Sequence, residues 1–334
     1  MNRVVEFSET GGPDVLSIIT TDVPQPGPGE VQIAMKAAGL NRAELVFIAG
    51  QYLVEPHLPS RLGFEGAGEI VAVGADVADF KVGDRVAITP AFQQNAYGVL
   101  GTVVNMPASA LVPIVGDVSY ADAAAFWMAF GTAYGLLVQT GGLKRNAGQT
   151  VVLNAASSSV GTAAFQIIRA HGGVSIALTR TQDKVQGLKD AGADHVIVTT
   201  TDDVVSRIMD ITNDQGFNIA LDAVAGRAGE QLAQAAGFEA TMIVYGFLAG
   251  TPSMTPFQTM VAKGLRVTGF HLAWSMLDLP ERRAIAVQHL NEGLRAGTYK
   301  PVIDQVFPFE DVQGAYRYMA SNAQLGKIIV EFAS

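Results

Sequence analysis

VVLNAASSSVGTAAFQ, residues 151–166, decides the fold. It reads as an apolar strand, a tight turn of small polar residues, and a helix. A turn of this kind places helix N-terminal amides where a pyrophosphate is held in dinucleotide-binding units. The glycine fingerprint of such units would fall on Ala156, Ser158 and Gly161, so only its last glycine is kept. Serine still suits the turn, because it is small and its hydroxyl can cap the helix or bond a phosphate oxygen. A capped helix in an ordinary αβ unit would share these features, and the next strand separates the two readings.

About 20 residues past the turn, a unit that binds NAD offers an acid to the ribose, whereas one that binds NADP offers a base to the 2′-phosphate. Here IALTRTQDK, residues 176–184, ends its strand on Arg180 and Thr181 and places Lys184 one turn into the following helix. No acid stands at the strand end. Arginine bonds a phosphate through two donors and lysine adds a point charge. A solvated pair of surface cations is the plainer reading, but the placement points to NADPH.

Outward from this unit the pattern is αβ on one side and β on the other. Residues 1 to about 120 read as short strands between Gly/Pro turns, as in PQPGPGEVQIAMKAAGL (24–40) and KVGDRVAI (81–88). From about 122, helices alternate with the strands TVVLNA, VSIALT, HVIV, NIALDAV and TMIVYGF. Strands spaced by helices imply right-handed crossovers and a parallel sheet covered on both faces. The expected class is α/β, with a doubly wound parallel-sheet domain over residues 122–269 and a β domain built from residues 1–121 and 270–334. LPERRAIAVQHLNEGLRAG (279–297) reads as an amphipathic helix and GKIIVEF (326–332) as a final strand.

The composition sets limits on partners. Of 334 residues, 49% are hydrophobic and 16% charged, which suffices for a large core, and the net charge of −9 brings no basic stripe for nucleic acid. ADAAAFWMAFGTAYGLLVQ (121–139) contains an acid and two glycines and lacks basic flanks, so it reads as a buried helix rather than a membrane span. MNRVVEFSETGGP has no apolar signal core, and a cytoplasmic location is expected. There is no cysteine, and the five histidines are scattered, so no metal ligand set is expected.

RLGFEGAGEIVAVG, residues 61–74, resembles the metal-site segment of zinc-dependent alcohol dehydrogenases, in which a histidine precedes the glutamate; here Phe64 precedes Glu65. With PGPGEV, KVGDRV, AAAFWMAFGTAYGLL, NAASSSVG, GADHVI, LDAVAG and GKIIVEF, the whole chain resembles the zinc-free branch of the medium-chain dehydrogenase/reductases. It is similar there to NADPH:quinone oxidoreductases and 2-enoyl thioester reductases. The resemblance implies a GroES-like β domain beside a Rossmann domain. It places Tyr52 over the substrate, Asn41 by the nicotinamide ribose and Thr132 near the carboxamide. It lays Ser157, Ser158, Ser159 and Val160 along the pyrophosphate. Tyr245, Phe247, Leu248, Phe270, His271 and Leu272 would wrap the nicotinamide end, with Lys327 nearby. Asn154 with Ser158 looks more like the enoyl reductases.

Without a metal to polarise a plain ketone, the chemistry points to an electrophile that spreads the incoming charge itself, a quinone or an activated C=C bond. Tyr52 is the candidate proton or hydrogen-bond donor, or a residue that only lines the pocket. Glu65 and Asp84 read as structural. An enoyl thioester reductase and a non-catalytic NADPH-binding protein are the competing readings. The family resemblance also implies a homodimer, with LRVTGFHLAW (265–274) as the pairing edge.

Overall fold

The strand Glu30–Gly39 organises the first of two units in a computed structural model that describes residues 1–253 and 256–333. The Pro/Gly turn ahead of it is closed by Gly27 N–H, which donates to Glu30 Oε2 at 2.9 Å. The strand pairs antiparallel with Glu65–Val73, Val103–Pro107 and Lys327–Glu331. From edge to edge the main path of this sheet runs Ile303–Pro308, Lys327–Glu331, Glu30–Gly39, Glu65–Val73, Arg85–Ile88 and Leu111–Pro113, with Val103–Pro107 paired to Glu30–Gly39 off that path. A smaller sheet orders Ser17–Thr21, Asn2–Phe7 and Ser60–Arg61. Val31, Ile33, Phe47, Phe64, Ile88, Tyr316 and Val330 fill the core of this unit.

The small residues after Glu65 are explained by close strand contact. A Cβ on Gly68 would lie 2.3 Å from the Ala34 carbonyl oxygen, and one on Gly66 would lie 2.5 Å from Met35 Cε. Asp84, in the turn before the strand Arg85–Ile88, accepts the Lys81 N–H at 2.9 Å, as turn chemistry requires.

The second unit holds a six-stranded sheet, parallel throughout. Its strands run His195–Val198, Val174–Thr179, Thr150–Leu153, Phe217–Asp222, Ala236–Val244 and Arg266–Gly269 from edge to edge. The order reverses beside Thr150–Leu153, which is the topological switch point where such sheets bind ligands beyond their carboxyl ends. The helix Ser159–Ala170 follows that strand and ends at Gly172, whose φ of 69° only glycine adopts without strain. The helix Tyr120–Tyr134 runs on into a π-helical stretch, Gly135–Thr140. Together they are long and apolar enough to cross a membrane, but most of the segment is buried inside the protein.

The units comprise Met1–Met128 with Ile303–Ser334, and Ala129–Val302. Residues 270–302, placed with the β domain on sequence, thus pack with the parallel sheet. Small residues on the helix explain why: a Cβ on Gly135 would lie 2.3 Å from the Phe270 ring, and Leu272 and Met276 close over Gly131. Tyr299 adds an aromatic contact to Phe130, with ring centroids 5.5 Å apart. Periodicity does not reveal grooves of this kind. The first boundary likewise falls within the helix, after Met128, rather than ahead of it at 121.

Candidate active site and cofactor turn

In the first unit three distant segments meet around one buried ammonium. Lys327 is 1% exposed, and its Nζ donates to Asn41 Oδ1 at 2.7 Å and to Glu65 Oε1. The other Glu65 oxygen accepts the Met128 N–H at 2.8 Å. Glu65 is therefore a structural carboxylate, satisfied by one ion pair and one amide. Gly39 makes room for this arrangement, since a Cβ there would lie 2.6 Å from Lys327 Cε.

Asn41 starts the helix Arg42–Ile48, and Glu44 reaches back to accept its backbone N–H at 2.9 Å, half of a capping box. Glu44 is fully buried and also accepts the Phe64 N–H at 2.8 Å and the Tyr316 hydroxyl at 2.7 Å. Burial pushes its carboxyl up to about 7, against the pull of those donors and of Lys327. Tyr52 follows the helix. Its ring packs 6.3 Å from Phe47 and 6.0 Å from Phe64, centroid to centroid. Burial, then the Glu44 charge, pushes the Tyr52 phenol up to about 12, so it stays protonated and able to donate.

The second unit builds the turn after Thr150–Leu153. Ser158 caps the helix, its Oγ accepting the Gly161 N–H at 3.1 Å, and Ser159 and Val160 form the first helical positions. The first amides of a helix have no partner within it and carry the positive end of its dipole. A Cβ on Gly161 would lie 2.2 Å from the Ala156 carbonyl oxygen, so the one glycine kept from the fingerprint is what lets the turn close. Lys184 Nζ donates to Ser157 Oγ at 3.1 Å, which brings a cation to the turn. Arg180 is exposed at the strand end, its carbonyl accepting the Thr200 hydroxyl at 2.7 Å. Thr181, also exposed, bonds Asp183 through its side chain. The donor set and the glycine cradle fit a dinucleotide.

Behind the turn, Asn154 Nδ2 donates to Asp222 Oδ1 at 2.6 Å while its Oδ1 accepts the Ala223 N–H at 2.8 Å. This buried link joins the carboxyl ends of two neighbouring strands. Tyr245 bonds Ser158 through its side chain, and burial raises its phenol pKa. Tyr245 N–H donates to the Asp222 carbonyl at 2.9 Å and Leu248 N–H to the Ala223 carbonyl at 3.1 Å. Phe247 and Leu248 are exposed, whereas Phe270, Leu272 and Thr132 are buried. His271 stacks on Trp274 with centroids 4.2 Å apart.

Of the residues singled out on sequence, the structure brings together Asn41 with Lys327, Ser157 with Lys184, and Ser158 with Tyr245. It adds Glu44, Tyr316 and Asp222, which the sequence reading missed. The Asn41/Glu44 spacing is a capping-box signal that marks Glu44; Asp222 closes a local turn by accepting the Val224 and Ala225 N–H groups, whereas its partner Asn154 and the Tyr316 partner Glu44 lie far along the chain. Among the described residues, no three histidine, aspartate or glutamate side chains converge as a metal site.

Known proteins are similar to this chain over most of its length. Residues 27–116 match the alcohol dehydrogenase GroES-like domain and residues 191–330 match the zinc-binding dehydrogenase family. The synaptic vesicle membrane protein VAT-1 homolog of Rattus norvegicus is 33% identical over 326 residues, spanning 92% of this chain and 78% of that protein. The mitochondrial enoyl-[acyl-carrier-protein] reductase of Caenorhabditis elegans is 31% identical over 86% of this chain and 83% of its own. The crystal structure of Escherichia coli quinone oxidoreductase complexed with NADPH superposes with a TM-score of 0.89 at 28% identity, covering 99% of this chain and all of that one (100%). The chain belongs to the medium-chain dehydrogenase/reductase family, in which its relatives include quinone oxidoreductases and an enoyl reductase, and is a nicotinamide-dependent oxidoreductase.

Proposed function

We propose that the protein reduces quinones or the activated C=C bonds of enones, with NADPH as reductant and no zinc. One observation carries this reading. Phe64 fills the position before Glu65 where the family's zinc enzymes hold a ligand; it is 2% exposed and packs against both Phe47 and Tyr52. That position belongs to the aromatic core. Bound at the turn, the reduced nicotinamide supplies the hydride. Tyr52 holds the proton, or the hydrogen bond, for the substrate oxygen, and its raised pKa keeps it in the donor form. Asn41, with its side-chain oxygen fixed by Lys327, orients the cofactor end.

Lys184, bonded to Ser157 of the turn, and Arg180, at the end of the next strand, support the choice of NADPH; the acid between them, Asp183, is bonded by the Thr181 side chain. Arg180→Ala is expected to weaken NADPH binding about tenfold or more, the worth of a charge-assisted hydrogen bond, and to leave NADH nearly unchanged. Equal loss for both cofactors in a fluorescence titration removes the assignment. Thr132, Tyr245, Phe247, Leu248, Phe270, His271 and Leu272 complete the proposed nicotinamide end. The combination of Asn154 with Ser158 and the enoyl reductase relative favour one second reading, reduction of 2-enoyl thioesters.

NADPH oxidation with 1,4-benzoquinone, an enone and crotonyl-CoA separates the two. Turnover of crotonyl-CoA alone overturns the first reading in favour of the second. Bound NADPH with no turnover of any leaves a non-catalytic binding protein. The reading includes a cytoplasmic homodimer paired through Arg266–Gly269, an edge strand with all four residues exposed. A monomer on gel filtration removes that part.

A further inference from the structure

We propose that Asn95 is a positioning residue for the loop 52–59, and that this loop presents Leu53 and Leu58 as an apolar lip selecting electrophiles with an aliphatic tail. The inference rests on the reading of Tyr52 as the residue that meets the substrate. The loop leaves the end of the helix Arg42–Ile48, where Gln51 N–H donates to the Val46 carbonyl at 2.9 Å. It rejoins the fold at Ser60–Arg61, paired with Glu6 and Phe7. Between these anchors, residues 53–59 make no backbone–backbone hydrogen bond among the described residues.

Asn95 provides what a neighbouring strand would otherwise supply. Its Oδ1 accepts the His57 N–H at 2.9 Å and its Nδ2 donates to the Glu55 carbonyl at 2.8 Å. One planar amide thus clamps two backbone groups of an exposed loop, a job that needs a donor and an acceptor side by side. The clamp is itself rigid. Gly98 lies so close to the next segment that a Cβ would sit 2.7 Å from the Leu62 carbonyl oxygen. Leu100 N–H donates to that same carbonyl at 3.0 Å, and Phe92 packs edge-on against Tyr97, centroids 6.2 Å apart. Tyr97 in turn donates to Glu30 Oε1 at 2.7 Å.

This clamped loop exposes two leucines among Glu55, His57 and Pro59. Leu53 is 66% exposed and Leu58 is 44% exposed, on the same short loop that begins with Tyr52. A single exposed leucine means little, but two on a loop held in one conformation make a preformed contact for hydrocarbon. The exposed acid Glu55 between them disfavours an anionic tail. The class implied is a neutral electrophile with an aliphatic chain.

The test compares 3-buten-2-one with 1-octen-3-one, which share the reacting group and differ in tail length. A fully buried methylene is worth about fourfold in affinity. A lip covering one side of a four-methylene extension is therefore expected to raise kcat/KM about tenfold for octenone. Asn95→Ala should bring that ratio below about threefold with the Kd for NADPH unchanged, since a loosened loop no longer presents both leucines together. Asn95→Asp keeps the acceptor for His57 and loses the donor for Glu55, and should give an intermediate ratio. An unchanged ratio in Asn95→Ala, or no tail preference in the wild type, overturns the proposal. Binding of 2-butanone and 3-octanone without cofactor is measured in parallel. A preference for octanone that Asn95→Ala abolishes, with neither enone turned over, keeps the lip and refutes the reductase reading.

Discussion

Replacing Lys327 with methionine keeps an unbranched side chain one atom shorter and removes its charge. Lys327 and Glu65 are each about 1% exposed on their side chains, so neither ion has water to fall back on. In the variant the Glu65 carboxylate retains the Met128 amide and loses its counter-ion, and Asn41 Oδ1 loses its donor. Removing one partner of a buried pair costs about 3–5 kcal/mol, because the remaining charge is left uncompensated. An exposed pair such as Arg317–Asp14, with side chains 54% and 78% exposed, is worth about 0–1 kcal/mol. The double variant Lys327→Met/Glu65→Leu removes both charges and is expected to recover most of the loss. Urea unfolding reads these values through Trp127, which is buried in the first unit. The chain has two tryptophans, and Trp274→Phe throughout the series leaves Trp127 as the sole reporter. A loss below about 1 kcal/mol for Lys327→Met, or a double variant no more stable than the sum of the singles predicts, refutes the reasoning.

Gly39→Ala drives a methyl to 2.2 Å from the Ala124 carbonyl oxygen, which is backbone and cannot step aside; a loss of about 1–3 kcal/mol is expected in the same unfolding assay. Gly161→Ala meets the Ala156 carbonyl in the same way and should abolish measurable NADPH binding in a fluorescence titration while the first unit unfolds as before. Glu44 governs a pH response. Its folded carboxyl titrates near 7 against 4.5 for an ordinary glutamate, so the folded state holds the proton more tightly between those values. The stability it contributes is complete below about 4.5 and is lost as pH rises through 7. Glu44→Gln should flatten that decline, and parallel wild-type and variant curves from pH 4.5 to 7 would exclude Glu44 as its source.

The sequence alone carries the architecture and the strand–turn–helix of residues 151–166, because both are written in local order. The strand–turn–helix of residues 151–166 carries its own periodicity and its own glycine. The placement of Arg180 and Lys184 follows from counting along one αβ unit. Phe64 in place of a metal ligand is likewise a matter of one position beside Glu65. Only the tertiary structure decided what the buried charges do. Folding commits the Lys327 ammonium to Glu65 and Asn41, residues 262 and 286 positions away. Tyr316 finds Glu44 across 272 positions and Asp222 finds Asn154 across 68. The same holds for residues 270–302, whose place with the parallel sheet depends on the grooves at Gly131 and Gly135. A hydrophobic pattern reports which face of an element is buried and leaves open which partner lies against it. Buried ionic and aromatic partners are chosen by the packing of distant segments, which no local spacing encodes.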